Sequence, residues 1–112
     1  MKVRQREIQD VVVLDVEGQI MGGPDSEVLR ETLKSLIGGG QHKILVNLES
    51  VGWINSTGLG ILIAAFTDLQ SNGGKLKLVK VSERIESLLS VTKLSTIFES
   101  FQQEDEAVQS FV

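Results

Sequence analysis

The segment Lys43 to Phe66, KILVNLESVGWINSTGLGILIAAF, limits the folds open to this chain more than any other. Its first part, Ile44 to Leu48, is a near-continuous apolar run, which suits a strand at a central position in a sheet. Its last part opens a helix, Leu59 to Leu69, that is apolar almost all round and should be deeply buried. Between them Asn55–Gly58, NSTG, places two hydroxyls where the chain turns. Such a strand–loop–helix unit belongs to a mostly parallel sheet with crossover helices.

The rest of the chain continues the alternation. Val3–Ile8 alternates apolar and charged residues as an edge strand does, and QD (Gln9, Asp10) makes a tight turn into the β-branched run Val11–Val16, which ends at Gly18. In GGPDSEVLRETLKSLIGGG, Pro24 suits a first helical turn and Asp25 or Ser26 a cap. Leu29, Leu33, Leu36 and Ile37 then share one helical face, and Gly38–Gly40 stop the helix. SNGGK leads into the strand LKLV, where lysines alternating with apolar residues predict a solvated outer face. Ser82 caps a third helix carrying Ile85, Leu88, Leu89 and Val91. A short strand is expected near Thr96–Phe98, and EDEAVQSFV reads as a terminal helix with acids in its first turn. The order β-β-α-β-α-β-α-(β)-α predicts a single α/β domain, a mixed sheet of about four to five strands with about four helices.

Composition narrows the function. The 112 residues carry 15 acidic and 11 basic groups, a net charge of -4, which argues against a nucleic-acid surface. With four Phe and one Trp, base-stacking platforms are not available in number. The absence of cysteine removes disulfides, thiol nucleophiles and cysteine metal sites. No apolar run is long enough for a spanning helix and the N-terminus lacks an apolar signal region, so a cytoplasmic location is the default.

Catalytic constellations fare poorly. The lone histidine, His42, cannot hold a metal by itself. A serine hydrolase at Ser56 would need G-x-S-x-G and a base; Ile54 stands at the first glycine position, and no base is in evidence. GLG, Gly58 to Gly60, lacks the third glycine of a dinucleotide fingerprint, and IGGGQHK leads into a strand rather than a helix. Asp15 and Glu17 share a strand face without any shielded setting that sequence can show. NSTG remains. Asn55 or Ser56 can accept from free first-turn N–H groups, Gly58 permits close approach, and the helix start favours an anion, including a phosphate on Ser56. From these residues alone the plain cap is the simpler reading, because most such serines only cap.

The segments VVVLDVEGQI, KILVNLESVGWINSTGLGILIAAF, NGGKLKLVKVSERIESLL and VTKLSTIFESF, from about Val11 to about Phe101, resemble the STAS domain. They look in particular like the bacterial anti-sigma factor antagonists (anti-anti-sigma factors), whose central motif is an apolar strand followed by [DN]-S-[ST]-G-L-G. The resemblance implies one STAS-like domain over residues 1–112 that is a substrate rather than an enzyme, without cofactor or metal. It implies phosphorylation of Ser56, with Thr57 as second candidate, by an anti-sigma factor with serine kinase activity, and resetting by a PP2C-type phosphatase. Partner contacts are then expected at Asn55, Ser56, Thr57 and Gly58, and at Trp53, which as an aromatic beside the loop either anchors an interface or lies half-buried under the adjacent helix. Asn55 stands where the best-known members have Asp. It can still cap the helix and repels a neighbouring phosphate less, while transfer is slower if that Asp assists it. Met21, Gly22 and Gly23 replace polar residues, which implies a different partner surface. A STAS scaffold or transport-assembly subunit that is never phosphorylated is the alternative. The apolar ending VQSFV could pack on the domain or on a second copy, as a homodimer.

Overall fold

A computed structural model describes all 112 residues. Strands β1 (Lys2–Ile8) and β2 (Val11–Ile20) form an antiparallel hairpin, turning at Gln9 and Asp10, both with positive φ. That is the two-residue geometry matched to the strands' own twist. A 3-10 turn, Pro24–Ser26, precedes helix α1 (Glu27–Gly38); β3 (Lys43–Ile54), α2 (Ser56–Ser71), β4 (Lys75–Val79) and α3 (Glu83–Val91) follow. The chain closes with β5 (Ser100–Phe101) and α4 (Glu104–Gln109). The sheet runs β1-β2-β3-β4-β5, parallel from β2 onward.

Helices cover both faces of this sheet. On one, α1, α2 and α3 bury Leu29, Leu33, Leu62, Leu69, Ile85 and Leu89 against inward residues of β2, β3 and β4. On the other, α4 brings Ala107, Val108 and Phe111 onto Val11, Val13, Leu45 and Val79. Burial on both faces is why the β2 and β3 runs are nearly continuous in apolar residues.

Several local expectations change. LKLV has no solvated face: Lys77 is 3% exposed, because α4 lies over it. Its Nζ donates to the Ser110 carbonyl at 2.9 Å and hydroxyl at 3.0 Å, and sits 4.9 Å from the Phe111 ring centre. The last strand is Ser100–Phe101 rather than Thr96–Phe98. Lys93 adopts the left-handed conformation, Leu94–Thr96 forms a 3-10 turn, and Phe98 is buried edge-to-face against Phe66. Val91 points to solvent, 82% exposed. Neither Asp25 nor Ser26 caps α1; the buried Ser26 Oγ accepts from the Gly22 N–H instead, closing the loop after β2. Gly18, with φ of +113°, is not the end of β2 but an irregularity within it.

Of the two carboxylates on β2, Asp15 is structural and Glu17 is exposed. Asp15 accepts two hydrogen bonds from Arg6 and one from the Asn47 amide, while Arg6 also pairs with Glu104 of α4. The Arg6 guanidinium first, then Asn47, hold the Asp15 carboxyl below the ordinary carboxylate range against the opposing effect of burial. A depressed folded-state pKa contributes stability above the unfolded value, lost as pH falls through the folded one. Arg6 itself is pushed upward, with its loss far above any working pH. We therefore expect an acid loss of stability below about pH 4 that Asp15→Asn reduces. Urea midpoints between about pH 2 and pH 7 test it; parallel curves for both proteins would refute it.

Candidate functional site at the start of helix α2

The site lies at the carboxyl ends of the parallel strands, where open α/β sheets commonly place ligands. Ile54 ends β3 in register with Ile20 at the end of β2, and the Asn55 N–H donates to the Ile20 carbonyl at 3.2 Å. Asn55 is extended, and its Oδ1 accepts from the Gly58 N–H at 2.8 Å. The cap is therefore Asn55. Ser56 is the first helical residue, and its hydroxyl and that of Thr57, both exposed, bond to no other group of the chain.

Gly58 turns inward. It is buried, and a Cβ there would overlap the Ile20 carbonyl oxygen and lie 2.7 Å from its carbon. The close approach that Gly58 permits is thus to strand β2, not to a visitor. Gly22, with φ of +80°, touches Thr57 from the other side: a Cβ there would stand 2.8 Å from Thr57 Cβ. Helix α2 is in this way wedged between the end of β2 and its loop, which leaves Ser56 at the rim.

Met21, in the loop after β2, is 40% exposed, and Trp53, near the end of β3, is half-buried. Arg84 of α3 stacks over the Trp53 ring at 4.3 Å, a contact that sequence reasoning missed. From Thr57 a groove of about 520 Å3 runs between α1 and α2, with Ile61, Ala64 and Ala65 on one side and Leu33 and Ile37 on the other. His42 is exposed and far down the sheet, at the β3 start, and no three His, Cys, Asp or Glu side chains gather anywhere as a metal site. Asp15 of β2 and Glu104 of α4 are both tied up with Arg6.

The division of labour between Asn55 and Ser56 is measurable. Asn55→Ala is expected to cost about 1 kcal/mol of stability, the usual loss of a side-chain cap. Ser56→Ala should stay within about 0.5 kcal/mol, as its hydroxyl holds nothing in the fold. Urea denaturation of both variants decides, and an equal loss in Ser56→Ala would return the capping role to that serine.

The chain belongs to the STAS domain family, whose pattern matches residues 2–107. It is similar to an anti-sigma-B factor antagonist of Bacillus subtilis, 34% identical over 98 residues, 85% of this chain and 89% of that protein. Among solved structures, a candidate anti-sigma factor antagonist of Thermotoga maritima shares the fold with a TM-score of 0.90 at 24% identity, over 97% of this chain and 93% of that one. The Bacillus cell-fate determinant SpoIIAA in its phosphorylated form superposes with a TM-score of 0.77 at 19% identity, over 97% and 98%. The same fold also occurs within a murine Solute Carrier 26 anion transporter, with a TM-score of 0.76 at 17% identity, over 93% of this chain but 18% of that one. No helix is long and apolar enough to cross a membrane.

Proposed function

We propose that this chain is a protein-binding switch controlled by phosphorylation of Ser56. Unmodified, it docks an anti-sigma factor that is also a serine kinase and so frees a sigma factor for transcription; phosphorylated, it lets go. The observation that carries this reading is the free, exposed Ser56 hydroxyl at the start of α2, relieved of capping by Asn55. Its similarity to an anti-sigma-B factor antagonist supports the same role. Docking would use Trp53, Asn55, Ser56 and Thr57, with Gly58 acting from within by holding α2 against β2.

In the transfer, Ser56 Oγ attacks the γ-phosphorus of ATP held by the kinase. The new O–P bond forms as the bond to the bridging oxygen breaks; ADP leaves, and the hydroxyl proton passes to a base of the kinase. The product carries about -1.5 to -2 charges at neutral pH. The first-turn N–H groups of Ser56 and Thr57 have no intrahelical acceptor and can take that charge, so the domain stays folded. A partner packed against the same rim cannot. Reset requires a phosphatase, of the PP2C type on this reading, which hydrolyses the serine phosphate to serine and inorganic phosphate. The chain itself supplies no catalytic group, and its place of action is the cytoplasm, with its client.

The test is intact-mass spectrometry after incubation with the anti-sigma kinase of the same organism and ATP. A single phosphate that maps to Ser56 and is absent from Ser56→Ala is expected. No modification by a kinase active on another substrate would leave a STAS scaffold, unphosphorylated, as the surviving reading.

A further inference from the structure

Arg84 is placed unlike the chain's other surface cations. Its guanidinium lies 4.3 Å over the ring of Trp53, yet it forms no ion pair and no hydrogen bond within the chain. Glu83 and Glu86 share its helical turn, but neither comes within ion-pair distance. Arg6, Lys43 and Lys80 are each occupied by a carboxylate, and unpaired surface cations such as Lys34 and Lys75 lie over no aromatic ring. Stacking against an indole fixes the plane of a guanidinium while leaving its edge and its N–H donors to solvent. Such an oriented, unfilled fork matches a carboxylate in two parallel hydrogen bonds.

Its position is set by the fold. Ser82 caps α3 by accepting from the Ile85 N–H, which fixes the first turn that carries Arg84. The start of α3 and the end of β3 both lie at the carboxyl end of the parallel strands, the rim that also carries Ser56. Trp and Arg are the residue types most often found as energetic anchors of interfaces. On a chain with a net charge of -4, an acidic partner group needs a local cation to settle against this rim.

We infer that Arg84 and Trp53 form one composite contact that receives an aspartate or glutamate side chain of the docked kinase. The guanidinium takes the carboxylate in a bidentate pair, and the apolar stem of that residue covers the exposed part of the indole. Resting on the switch reading above, this inference adds what its partner must present beside the serine-binding cleft. Arg84 is a docking residue here, not a catalytic one.

The experiment compares wild type, Arg84→Lys and Arg84→Ala by calorimetric affinity for the anti-sigma kinase and by phosphorylation kinetics at Ser56. Emission of Trp53, the only tryptophan, is read on docking. Arg84→Ala is expected to weaken binding on the order of 30-fold, with KM raised and kcat kept. Arg84→Lys should recover only a minor part, because an ammonium offers no planar fork. Melting temperatures should match wild type, and the wild-type emission should shift to shorter wavelength in the complex. Wild-type affinity in Arg84→Ala, or full recovery by Arg84→Lys, overturns the inference while leaving the switch standing. A wild type that neither binds the kinase nor accepts phosphate overturns the switch, and this contact with it.

Discussion

Gly58→Ala is expected to cost about 3 kcal/mol or more, the upper range for forcing an added methyl group into a closed contact. The new Cβ would meet the carbonyl of Ile20, which is backbone and already accepts from the Asn55 N–H, so neither rotation nor a small side-chain shift relieves the overlap. Either α2 lifts from the sheet or the end of β2 moves. Thermal unfolding should drop by roughly 10 to 20 °C for a domain of this size. Gly60, two residues on, is the control. It is exposed and a Cβ there meets nothing, so Gly60→Ala should raise stability by up to about 1 kcal/mol through helix propensity alone. A Gly58→Ala protein that melts within about 3 °C of wild type would contradict the packing described for the site.

The second large effect lies on the other face of the sheet. Lys77→Ala removes a buried ammonium from between two oxygens of Ser110 and from the face of Phe111, and leaves a void beneath α4. The lost bonds, cation–π contact and side-chain packing together should cost about 3 kcal/mol. Lys77→Met keeps most of the volume and should recover part of that loss, since apolar replacement of a buried, satisfied charge is often tolerated. Hydrogen exchange should show α4 amides losing protection before those of α2. A change within about 0.5 kcal/mol for Lys77→Ala would mean that α4 is not anchored there.

Much of this architecture was legible because its signals are local. The alternation in Val3–Ile8, the paired turn residues Gln9 and Asp10, the helical face of Leu29 and Leu33, and the caps at Asn55 and Ser82 each act within a few residues. What escaped depends on partners distant in the chain. The alternation of lysines in KLKLV marks a wet face only if nothing covers it, and α4 does. The two-residue strand β5 has no period to detect, and its place follows from pairing with Leu78 and Val79. Gly58 could be read as room for a ligand until the end of β2 was seen to fill that room. The same holds for Arg84, an ordinary exposed helix residue until α3 brings it over Trp53. At the site itself the residues were legible but their roles were not. Asn55 and Ser56 both suit a cap, and only the geometry separates the one that caps from the one left free.

A phosphate on Ser56 is expected to abolish docking without unfolding the domain. The most direct measurement is calorimetric titration of the anti-sigma kinase with the chain unmodified and phosphorylated at Ser56, with a thermal melt of each form. At least about a 100-fold loss of affinity, near 2.7 kcal/mol, with melting temperatures within about 3 °C is the predicted result. Equal affinities for the two forms would contradict the switch, and a collapse of the melt in the phosphorylated form would contradict the tolerance claimed for the α2 start.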